Sequence, residues 1–377
     1  MFGSDDRAHM RAALALASRG LGRVAPNPAV GCILVREGLG QNGLVVGRGW
    51  TQPGGRPHAE THALAQAGDL ARGAHAYVTL EPCNHQGQTG PCTDALINAG
   101  IERVTIALED PDPRVSGTGL KRLADAGIDV RTGLMNAEAR RMNAGFLSVI
   151  ERGRPWVTLK TATTLDGAIA SRTGKSKWIT GNVARSRGHL LRAQNDAILT
   201  GIGTVRDDDP ALTCRLRGLE NRSPVRVIVD TRAELPLDSQ LINGIRDDVP
   251  VWLVTGSDAS ADAIQALQDR GATVVQLSLA SGGRIAPLDI LRALAKKGIT
   301  RVLLEAGSTL SGSFMADDLI DEMAWFRAPT VMGGDGLPAI APMAVNGPEN
   351  ATKFEHIETI PLDGDRLERY LRTSEKD

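Results

Sequence analysis

Three side chains with metal-binding chemistry lie in the first quarter of the chain: His58, Cys83 and Cys92. One imidazole and two thiolates suit Zn²⁺, which prefers nitrogen and sulfur ligands. Three protein ligands leave a fourth position for water, which is the pattern of a catalytic zinc site. Glu60 follows His58 by two residues and could carry protons to and from that water. The sequence therefore predicts a hydrolytic centre with one zinc ion per chain.

The spacing of His58 and Glu60 constrains the local structure, because residues two apart point to different faces of an ideal helix. Pro57 precedes His58, which predicts that His58 lies at the start of a helix and that the metal lies beyond its tip. His62 is four residues after His58, a common zinc spacing. In that pattern Glu directly follows the first His, and here Ala59 does, so we predict that His62 packs in the core or supports a zinc ligand and does not bind the metal itself.

Composition excludes several classes of function. Lys and Arg total 43 against 44 Asp and Glu, and aromatic residues make up 3%, which argues against a nucleic-acid surface. No apolar run approaches ~18 residues, and the first ten residues lack an apolar signal core. Four cysteines are too few for a disulfide framework, and Cys32 and Cys214 read as packing or surface residues. We expect a cytoplasmic protein with a small-molecule substrate, without nucleic-acid or membrane partners.

The elements that position the zinc residues alternate between strands and helices. Strands are predicted at Ala29–Val35, Leu44–Gly47, His75–Leu80, Val104–Leu108 and Ile128–Arg131. Helices are predicted from an N-cap at Ser4 to about Arg19, and at His58–Ala67, Asp94–Ala99 and Leu120–Ala126. This alternation indicates an α/β fold with a parallel or mixed sheet.

A second alternation begins near Pro155. Its predicted strands are Trp156–Thr161, Ala197–Thr200, Val225–Asp230, Val251–Thr255, Thr273–Leu277 and Arg301–Glu305. Its predicted helices are Val183–Arg192, Ala261–Arg270 and Leu288–Lys297, followed by a strand-rich tail. The charged, Gly- and Pro-broken stretch Ile150–Pro155 separates the halves, so we predict domains at 1–149 and 150–377.

The second half carries weaker chemical signals. Leu303–Ser313 reads as a strand, a glycine loop and a helix start, whose backbone N–H groups could bind a pyrophosphate. It lacks the G-x-G-x-x-G pattern, so it could equally be a turn. Gly201–Pro210 follows a strand and is similarly ambiguous.

The order His-x-Glu, Pro-Cys and Cys is typical of zinc deaminases. Such enzymes usually have two residues between the cysteines, whereas this chain has eight, Asn84–Pro91. With this loop, the stretches Ala25–Val30, Tyr77–Cys83 and Glu109–Pro113 make the chain resemble the RibD family of bifunctional riboflavin-biosynthesis enzymes. The resemblance extends over about residues 5–370.

This resemblance implies a cytidine-deaminase-like α/β/α domain followed by a dihydrofolate-reductase-like α/β domain. It implies hydrolytic deamination of 2,5-diamino-6-ribosylamino-4(3H)-pyrimidinone 5′-phosphate, then NADPH-dependent reduction of its ribosyl group to ribityl. It also implies a homo-oligomer, a dimer or tetramer. In the first domain it assigns substrate contacts to Asn27 and His85.

In the second domain the resemblance rests on Thr164–Gly167, Ser176–Thr180, Asp208–Thr213 and Glu305–Gly307. The NADPH contacts it implies are Ala162, Trp178, Thr204, Asp208, Thr231, Gly307, Ser308, Thr309, Leu310, Ser311, Gly312 and Ser313. The substrate contacts it implies are Ser176, Arg192, Leu212, Arg215 and Glu305. The two arginines suit a phosphate, which guanidinium groups bind bidentately. Arg232 beside Thr231 is expected to contact the adenosine 2′-phosphate.

Two positions depart from the family. Thr51 stands where the family commonly has His, and Gln88 where it commonly has Lys or Arg. Both changes affect the polar end of the deaminase substrate. Two other functions remain open at this point: a nucleobase or tRNA deaminase with a non-catalytic second domain, and a non-enzymatic zinc-binding regulator. The cysteine spacing and neutral charge disfavour the first, and the second would need a fourth protein ligand.

Overall fold

The computed structural model describes residues 2–38, 43–87, 90–112 and 116–373. The chain forms two compact units, Met1–Gly153 and Arg154–Asp377. The domain boundary expected between residues 149 and 150 falls within the last helix of the first unit, Ala144–Arg152. Among the described residues, every helix is too short or too polar to cross a bilayer.

The first unit contains five strands and six helices in its described part. The strands are β1 (Gly31–Arg36), β2 (Leu44–Trp50), β3 (His75–Val78), β4 (Arg103–Ile106) and β5 (Asp129–Thr132). The helices are α1 (Ser4–Ala17), α2 (Ala59–Ala67), α3 (Cys92–Asn98), α4 (Thr118–Asp125), α5 (Asn136–Met142) and α6 (Ala144–Arg152). Ser4 is the first helical residue of α1, so the expected cap at Ser4 is wrong. The N-cap is Gly3, whose N–H donates to the Asp6 carboxylate at 2.8 Å.

The five strands form one mixed sheet in the order β2-β1-β3-β4-β5, with β3, β4 and β5 parallel. Glycines let two helices lie directly on this sheet. A Cβ on Gly31 of β1 would lie 1.9 Å from the Ala13 carbonyl oxygen of α1. A Cβ on Gly49 of β2 would lie 1.9 Å from the Ala59 oxygen of α2. This close approach fixes the start of α2, where His58 and Glu60 lie.

The second unit contains eleven strands and six helices in its described part. The strands are β6 (Trp156–Thr163), β7 (Ala168–Ala170), β8 (Ala197–Gly201), β9 (Val225–Val229), β10 (Val251–Gly256), β11 (Thr273–Leu277), β12 (Arg301–Leu304), β13 (Glu322–Arg327), β14 (Leu337–Pro338), β15 (Phe354–Leu362) and β16 (Asp365–Arg372). The helices are α7 (Asn182–Ala193), α8 (Ile202–Asp208), α9 (Gln240–Asn243), α10 (Ala261–Asp269), α11 (Pro287–Lys296) and α12 (Ser308–Ala316).

Nine of these strands form a sheet in the order β11-β10-β9-β8-β12-β6-β13-β16-β15, while β7 pairs with β14. All pairs from β11 to β13 are parallel, and β16 and β15 are antiparallel. Apolar side chains cover this sheet in separate buried clusters. The mixed α/β architecture confirms the predicted fold class. Because β9, β8, β12 and β6 are parallel neighbours, the loops that follow them meet at one edge of the sheet, where α/β folds place ligands.

Candidate active sites

The first site lies where α2, α3 and the loop after β3 meet. His58 is the N-cap residue of α2, Cys92 is the first residue of α3, and Cys83 lies in the loop. Nδ1 of His58 is 3.3 Å from Sγ of Cys92 and 3.6 Å from Sγ of Cys83. One donor atom from each residue lies within 4.8 Å of the others. The three predicted ligands therefore converge, with the imidazole at the helix tip.

These distances fit a tetrahedral zinc ion. With Zn–N near 2.0–2.1 Å and Zn–S near 2.3 Å, tetrahedral angles place an imidazole nitrogen and a thiolate sulfur about 3.6 Å apart. The two observed distances lie close to that value. The Cys92 N–H also donates to Sγ of Cys83 at 3.4 Å, which favours a thiolate there. Hydrogen bonding from the Cys92 thiol lowers the pKa of Cys83 to about 4 in the chain alone, although burial opposes this. The donor set suits zinc.

Glu60 lies in the first turn of α2 and is 3% exposed. Burial, together with the negative charge of Cys83, raises the pKa of Glu60 to about 7 in the chain alone. A carboxyl group with such a pKa can both accept and release protons near neutral pH. Its place beside the three ligands matches the role of a proton carrier.

Asn27 and His62, two other residues discussed from the sequence, make local contacts in this unit. Nδ2 of Asn27 donates to the Val24 oxygen at 3.3 Å, and Gly55 packs so closely that a Cβ there would clash with the Asn27 amide. His62 packs edge-on against Trp50 at 4.9 Å and bonds Nε2 of Gln52 through Nδ1 at 3.1 Å. This contact is the packing role expected of His62.

The two positions that depart from the family differ in what the structure describes. Thr51 is 3% exposed, and its hydroxyl accepts the Val30 N–H at 3.0 Å, so it supports the backbone. Gln88 lies outside the described residues, as does Pro113 of the Glu109–Pro113 stretch. His85 lies within the described residues, near Asp110; burial raises the pKa of the Asp110 carboxyl group, and His85 opposes this rise.

The second site is built around Glu305, directly after β12. Arg192 of α7 donates to its two carboxylate oxygens at 2.8 and 2.9 Å. Nζ of Lys160, on β6, lies 3.5 Å from the same carboxylate. Nη1 of Arg192 also donates to the Thr213 oxygen at 3.1 Å, in the loop that continues to Arg215. Three of the predicted substrate residues, Arg192, Arg215 and Glu305, thus come together.

Charge in this cluster remains positive after pairing. Burial alone would raise the pKa of Glu305, but the charges of Arg192 and Lys160 outweigh it and hold the pKa at about 2. The Glu305 carboxylate is therefore ionised at any ordinary pH and balances one of the two cations. Burial and the charge of Arg192 lower the pKa of Arg215. A cationic cluster with one unbalanced charge and a further guanidinium fits a phosphate dianion.

Residues predicted to bind NADPH lie along the carboxyl edge of the sheet. Ala162 is at the end of β6, Thr204 is on α8 after β8, and Thr231 follows β9. The oxygen of Thr231 accepts the Gly256 N–H at 3.0 Å. Gly307 is the N-cap of α12, so the first N–H groups of this helix have no carbonyl partner within it. Because β6, β8, β9 and β12 are parallel, these positions share the carboxyl edge of the sheet.

Two members of the α12 group face the protein interior. Ser311 is 1% exposed, and its hydroxyl donates to the Ala306 oxygen at 3.3 Å. Gly312 packs against Ala341, where an added Cβ would be 3.1 Å from the Ala341 Cβ. Ser313 points its hydroxyl at the Thr309 oxygen, 3.1 Å away. At the start of the helix, Thr309 is exposed and Ser308 and Leu310 are half-buried, so this is the part of α12 most open to a ligand.

A further segment, Ser176–Thr180, lies before α7. The Ser176 hydroxyl is 3.5 Å from Oδ1 of Asp208, which joins a predicted substrate residue to a predicted cofactor residue. Trp178 is 71% exposed, and the Arg185 guanidinium lies 4.4 Å from its ring centre. Leu212, by contrast, is 3% exposed and lies in a buried apolar cluster, with a backbone φ of 53°.

Two residues of the second site, Lys160 and His189, were not predicted from the sequence. Lys160 is a lone cation in a mostly buried strand, which is itself a signal. His189 lies three residues before Arg192 on α7. Its Nδ1 lies 3.1 Å from the Thr213 oxygen, which Arg192 also contacts. The i, i+3 spacing places both on one helix face and could have revealed His189.

Comparison with known proteins gives two family matches. Residues 3–108 match the cytidine and deoxycytidylate deaminase zinc-binding region. Residues 155–363 match the RibD C-terminal domain. Riboflavin biosynthesis protein RibD of Aquifex aeolicus is 40% identical over 92% of this chain and 93% of its own length. The Escherichia coli protein of that name is 38% identical over 95% of this chain and 97% of its own length.

Solved structures agree with these matches. Acinetobacter baumannii RibD superposes with a TM-score of 0.85 and 38% identity over 98% of this chain and 99% of that chain. A Thermotoga maritima diaminohydroxyphosphoribosylaminopyrimidine deaminase/5-amino-6-(5-phosphoribosylamino)uracil reductase superposes with a TM-score of 0.83 and 33% identity over 98% and 99% of the two chains.

The fold and the two sites define a two-unit enzyme, a zinc-binding deaminase joined to a reductase with a dihydrofolate-reductase-like fold. This chain belongs to the RibD family. It is a bifunctional deaminase and reductase of riboflavin biosynthesis that acts on a small molecule, with zinc in the first activity and NADPH in the second.

Proposed function

We propose that the chain converts 2,5-diamino-6-ribosylamino-4(3H)-pyrimidinone 5′-phosphate in two steps, deamination of the ring and reduction of the ribosyl group to ribityl. The observation that carries this proposal is the presence of two chemically different clusters in one chain. His58, Cys83, Cys92 and Glu60 suit hydrolysis, and Arg192, Lys160 and Glu305 suit a phosphorylated sugar.

In the deaminase unit, His58, Cys83 and Cys92 hold zinc, which supplies a Lewis acid that activates water. Glu60 accepts a proton from the attacking water through its carboxylate oxygen. It delivers this proton to the ring nitrogen, then takes the second proton from the hydroxyl group that has added to the ring and passes it to the amino group, which leaves as ammonia as the C–N bond breaks. Its near-complete burial keeps bulk water from competing for these protons. Asn27 and His85 bind the substrate beside the metal ligands.

In the reductase unit, Arg192 and Arg215 bind the 5-phosphate, and Ser176, Leu212 and Glu305 complete the substrate contacts. Glu305 also orients Arg192 by its two-point hydrogen bond. Ala162, Trp178, Thr204, Asp208 and Thr231 would hold NADPH near the carboxyl edge of the sheet. The start of α12, within the predicted stretch Gly307–Ser313, would hold its pyrophosphate, because the N–H groups and the helix dipole there favour an anion. The cofactor supplies the hydride that opens the sugar.

An assay that separates the two steps tests this function. When wild-type enzyme is mixed with the pyrimidine and NADPH, the absorbance of NADPH at 340 nm should fall and ammonia should be released. Glu60→Gln should retain zinc and lose deamination by about 10²–10⁴-fold, the range for loss of a general acid–base group. The same variant should oxidise NADPH normally when given the deaminated intermediate. Loss of both activities in a folded Glu60→Gln variant would refute two independent sites.

We also propose that the enzyme works in the cytoplasm as a homo-oligomer, a dimer or tetramer. All four cysteines are free, which suits a reducing compartment. The outer edge of β15 has no neighbour among the described strands, so it could pair with a second copy. Light scattering after size-exclusion chromatography measures the mass. A particle of 40.0 kDa would contradict the oligomer.

A further inference from the structure

Glu81 is a buried carboxylate that the catalytic chemistry does not use. It lies two residues before the metal ligand Cys83 and is 4% exposed. Its side chain accepts four backbone N–H groups. Oε2 accepts from Asp110 and Gly117, both at 3.1 Å, and Oε1 accepts from Gly119 at 2.9 Å and Leu120 at 3.3 Å. Such charge-assisted bonds are shorter and stronger than neutral ones.

These four donors belong to two separate parts of the unit. Asp110 follows β4, whereas Gly117, Gly119 and Leu120 are the N-cap and two early residues of α4. The first N–H groups of a helix lack carbonyl partners within it. Glu81 satisfies those of α4 from a position 36 to 39 residues earlier in the chain. It therefore ties the loop after β3 to two elements that follow it.

The contact is also close on the backbone. A Cβ on Gly119 would lie 2.3 Å from the Pro82 oxygen, so α4 rests directly on the residue between Glu81 and Cys83. The N–H of Glu81 in turn donates to the Leu108 oxygen at 2.9 Å. The residue before Cys83 is thus held from more than one side.

Asn84, the residue after Cys83, is held in a similar way. Its Nδ2 donates to the Thr118 oxygen at 3.2 Å, and its Oδ1 accepts the Thr93 hydroxyl at 2.9 Å. Thr93 directly follows the ligand Cys92, and its N–H donates to the Cys83 oxygen at 3.3 Å. Asn84 therefore links the segment that carries Cys83 to the segment that carries Cys92. Like Glu81, it also bonds to the start of α4.

We propose that Glu81 is a positioning residue for the zinc site, which fixes the loop so that Sγ of Cys83 faces His58 and Cys92. Glu81 lies in the Tyr77–Cys83 stretch and accepts the N–H of Asp110, in the stretch that begins at Glu109. It therefore connects two of the motifs on which the family resemblance rests. The inference rests on the proposed zinc ligands. Groups that orient a metal ligand typically change metal affinity 10–100-fold when they are replaced.

The test uses the full chain and measures zinc affinity by competition with a chromophoric chelator. Glu81→Gln keeps the size of the side chain but turns one acceptor into an NH₂ group that faces two N–H donors. We expect its zinc affinity to fall 10–100-fold, with the reductase activity unchanged. Asn84→Ala, which removes the link on the other side of Cys83, should weaken zinc several-fold and serves if Glu81→Gln does not fold.

A matched control separates positioning from general stability. Leu123→Val opens a small gap under α4, where Leu123 is fully buried, and leaves all four Glu81 bonds in place. Its melting temperature should fall while its zinc affinity stays at the wild-type value. If Glu81→Gln binds zinc as tightly as wild type, or if Leu123→Val weakens zinc equally, Glu81 is only a helix cap. Wild-type zinc content tests the ligand set separately, so a failure there is distinguishable.

Discussion

Arg192 and Glu305 are joined by two hydrogen bonds of 2.8 and 2.9 Å although 113 residues separate them in the chain. Arg192 comes from α7 and Glu305 from the end of β12, so their pairing fixes a helix against the carboxyl edge of the sheet. The same guanidinium holds the Thr213 oxygen. One pair therefore holds Arg192 and, through Thr213, the loop that carries Arg215, the second arginine proposed to bind the phosphate.

Replacement of Glu305 by Gln should impair only the reductase. It leaves Arg192 and Lys160 without their shared anion and removes charged hydrogen bonds worth roughly 1.5–3 kcal/mol. We expect kcat/KM for the ribosylamino substrate to fall about 10–100-fold, with deamination unchanged. Steady-state kinetics of each activity checks this.

The control for Glu305→Gln is Glu322→Gln, which breaks another buried Arg–Glu pair, with Arg369, in the same unit. Glu322→Gln should lower the melting temperature without raising the KM for the reductase substrate. Equal kinetic losses in the two variants would mean that Glu305 acts only through stability.

Cys83→Ser should abolish tight zinc binding. Serine is a poor zinc ligand, and the variant loses one of three protein donors. Metal analysis of the wild type should give close to one equivalent per chain, and the variant should fall well below that. Cys32→Ala is the matched control, because Cys32 is fully buried in β1 of the same unit. Undiminished zinc in Cys83→Ser would overturn the assignment of Cys83 as a ligand.

Arg232→Ala should weaken NADPH without affecting NADH. The Arg232 side chain is 81% exposed, beside the strand end at Thr231, and its Nη1 lies 3.9 Å from Glu234. A lost charged hydrogen bond to the 2′-phosphate predicts a KM for NADPH raised about 10–100-fold. Arg246→Ala, another exposed arginine paired with an acid, should change neither KM. Equal weakening of both cofactors, or efficient use of NADH by the wild type, would contradict phosphate recognition by Arg232.

His75 should make the deaminase unit lose stability in mild acid. Burial, with a smaller effect of Arg103, lowers the pKa of His75 to about 4, against the opposing charges of Glu37 and Asp6. The neutral ring bonds the Thr105 hydroxyl at 2.8 Å. The unfolded chain takes up a proton near pH 6.5 and the folded chain only near pH 4. Stability is therefore complete above pH 6.5 and falls as the pH drops towards 4, by roughly 1–3 kcal/mol.

Hydrogen exchange of the β3 and β4 amides in the full chain measures this loss, with His75→Gln as the comparison. The variant cannot be protonated, so its stability should change less between pH 6.5 and pH 4 than that of the wild type. Parallel curves for the two proteins would show that other groups account for the acid sensitivity.

The zinc cluster could be predicted from the sequence because each ligand lies in a short stretch with its own signal. Pro57 marked the start of a helix, and the structure confirms His58 at its tip. One imidazole and two thiolates then indicate zinc, which prefers nitrogen and sulfur ligands. The strand Thr273–Leu277 was likewise predicted with its observed bounds, because a short apolar run between two helices has few other interpretations.

Contacts between distant backbone groups could not be predicted. The four N–H groups around Glu81 have no sequence signature, since every residue but proline carries one. Helices α5 and α6 were not predicted either. Only Ala139 is buried in α5, so this helix shows no apolar stripe. Asn143 separates the two helices and instead accepts the Ala29 N–H at 2.9 Å, a contact across 114 residues.

The central place of β6 affects how the chain is completed on the ribosome. β6 is the first strand of its unit, yet its two neighbours are β12 and β13, which end only at Leu304 and Arg327. At about 5–20 residues per second, roughly 10–30 s pass between synthesis of β6 and of its second neighbour. The first unit ends at Gly153, before β6 begins. During translation, the chain of the deaminase unit is thus complete while β6 still lacks both of its neighbouring strands, so the buried residues of β6 stay uncovered for that time.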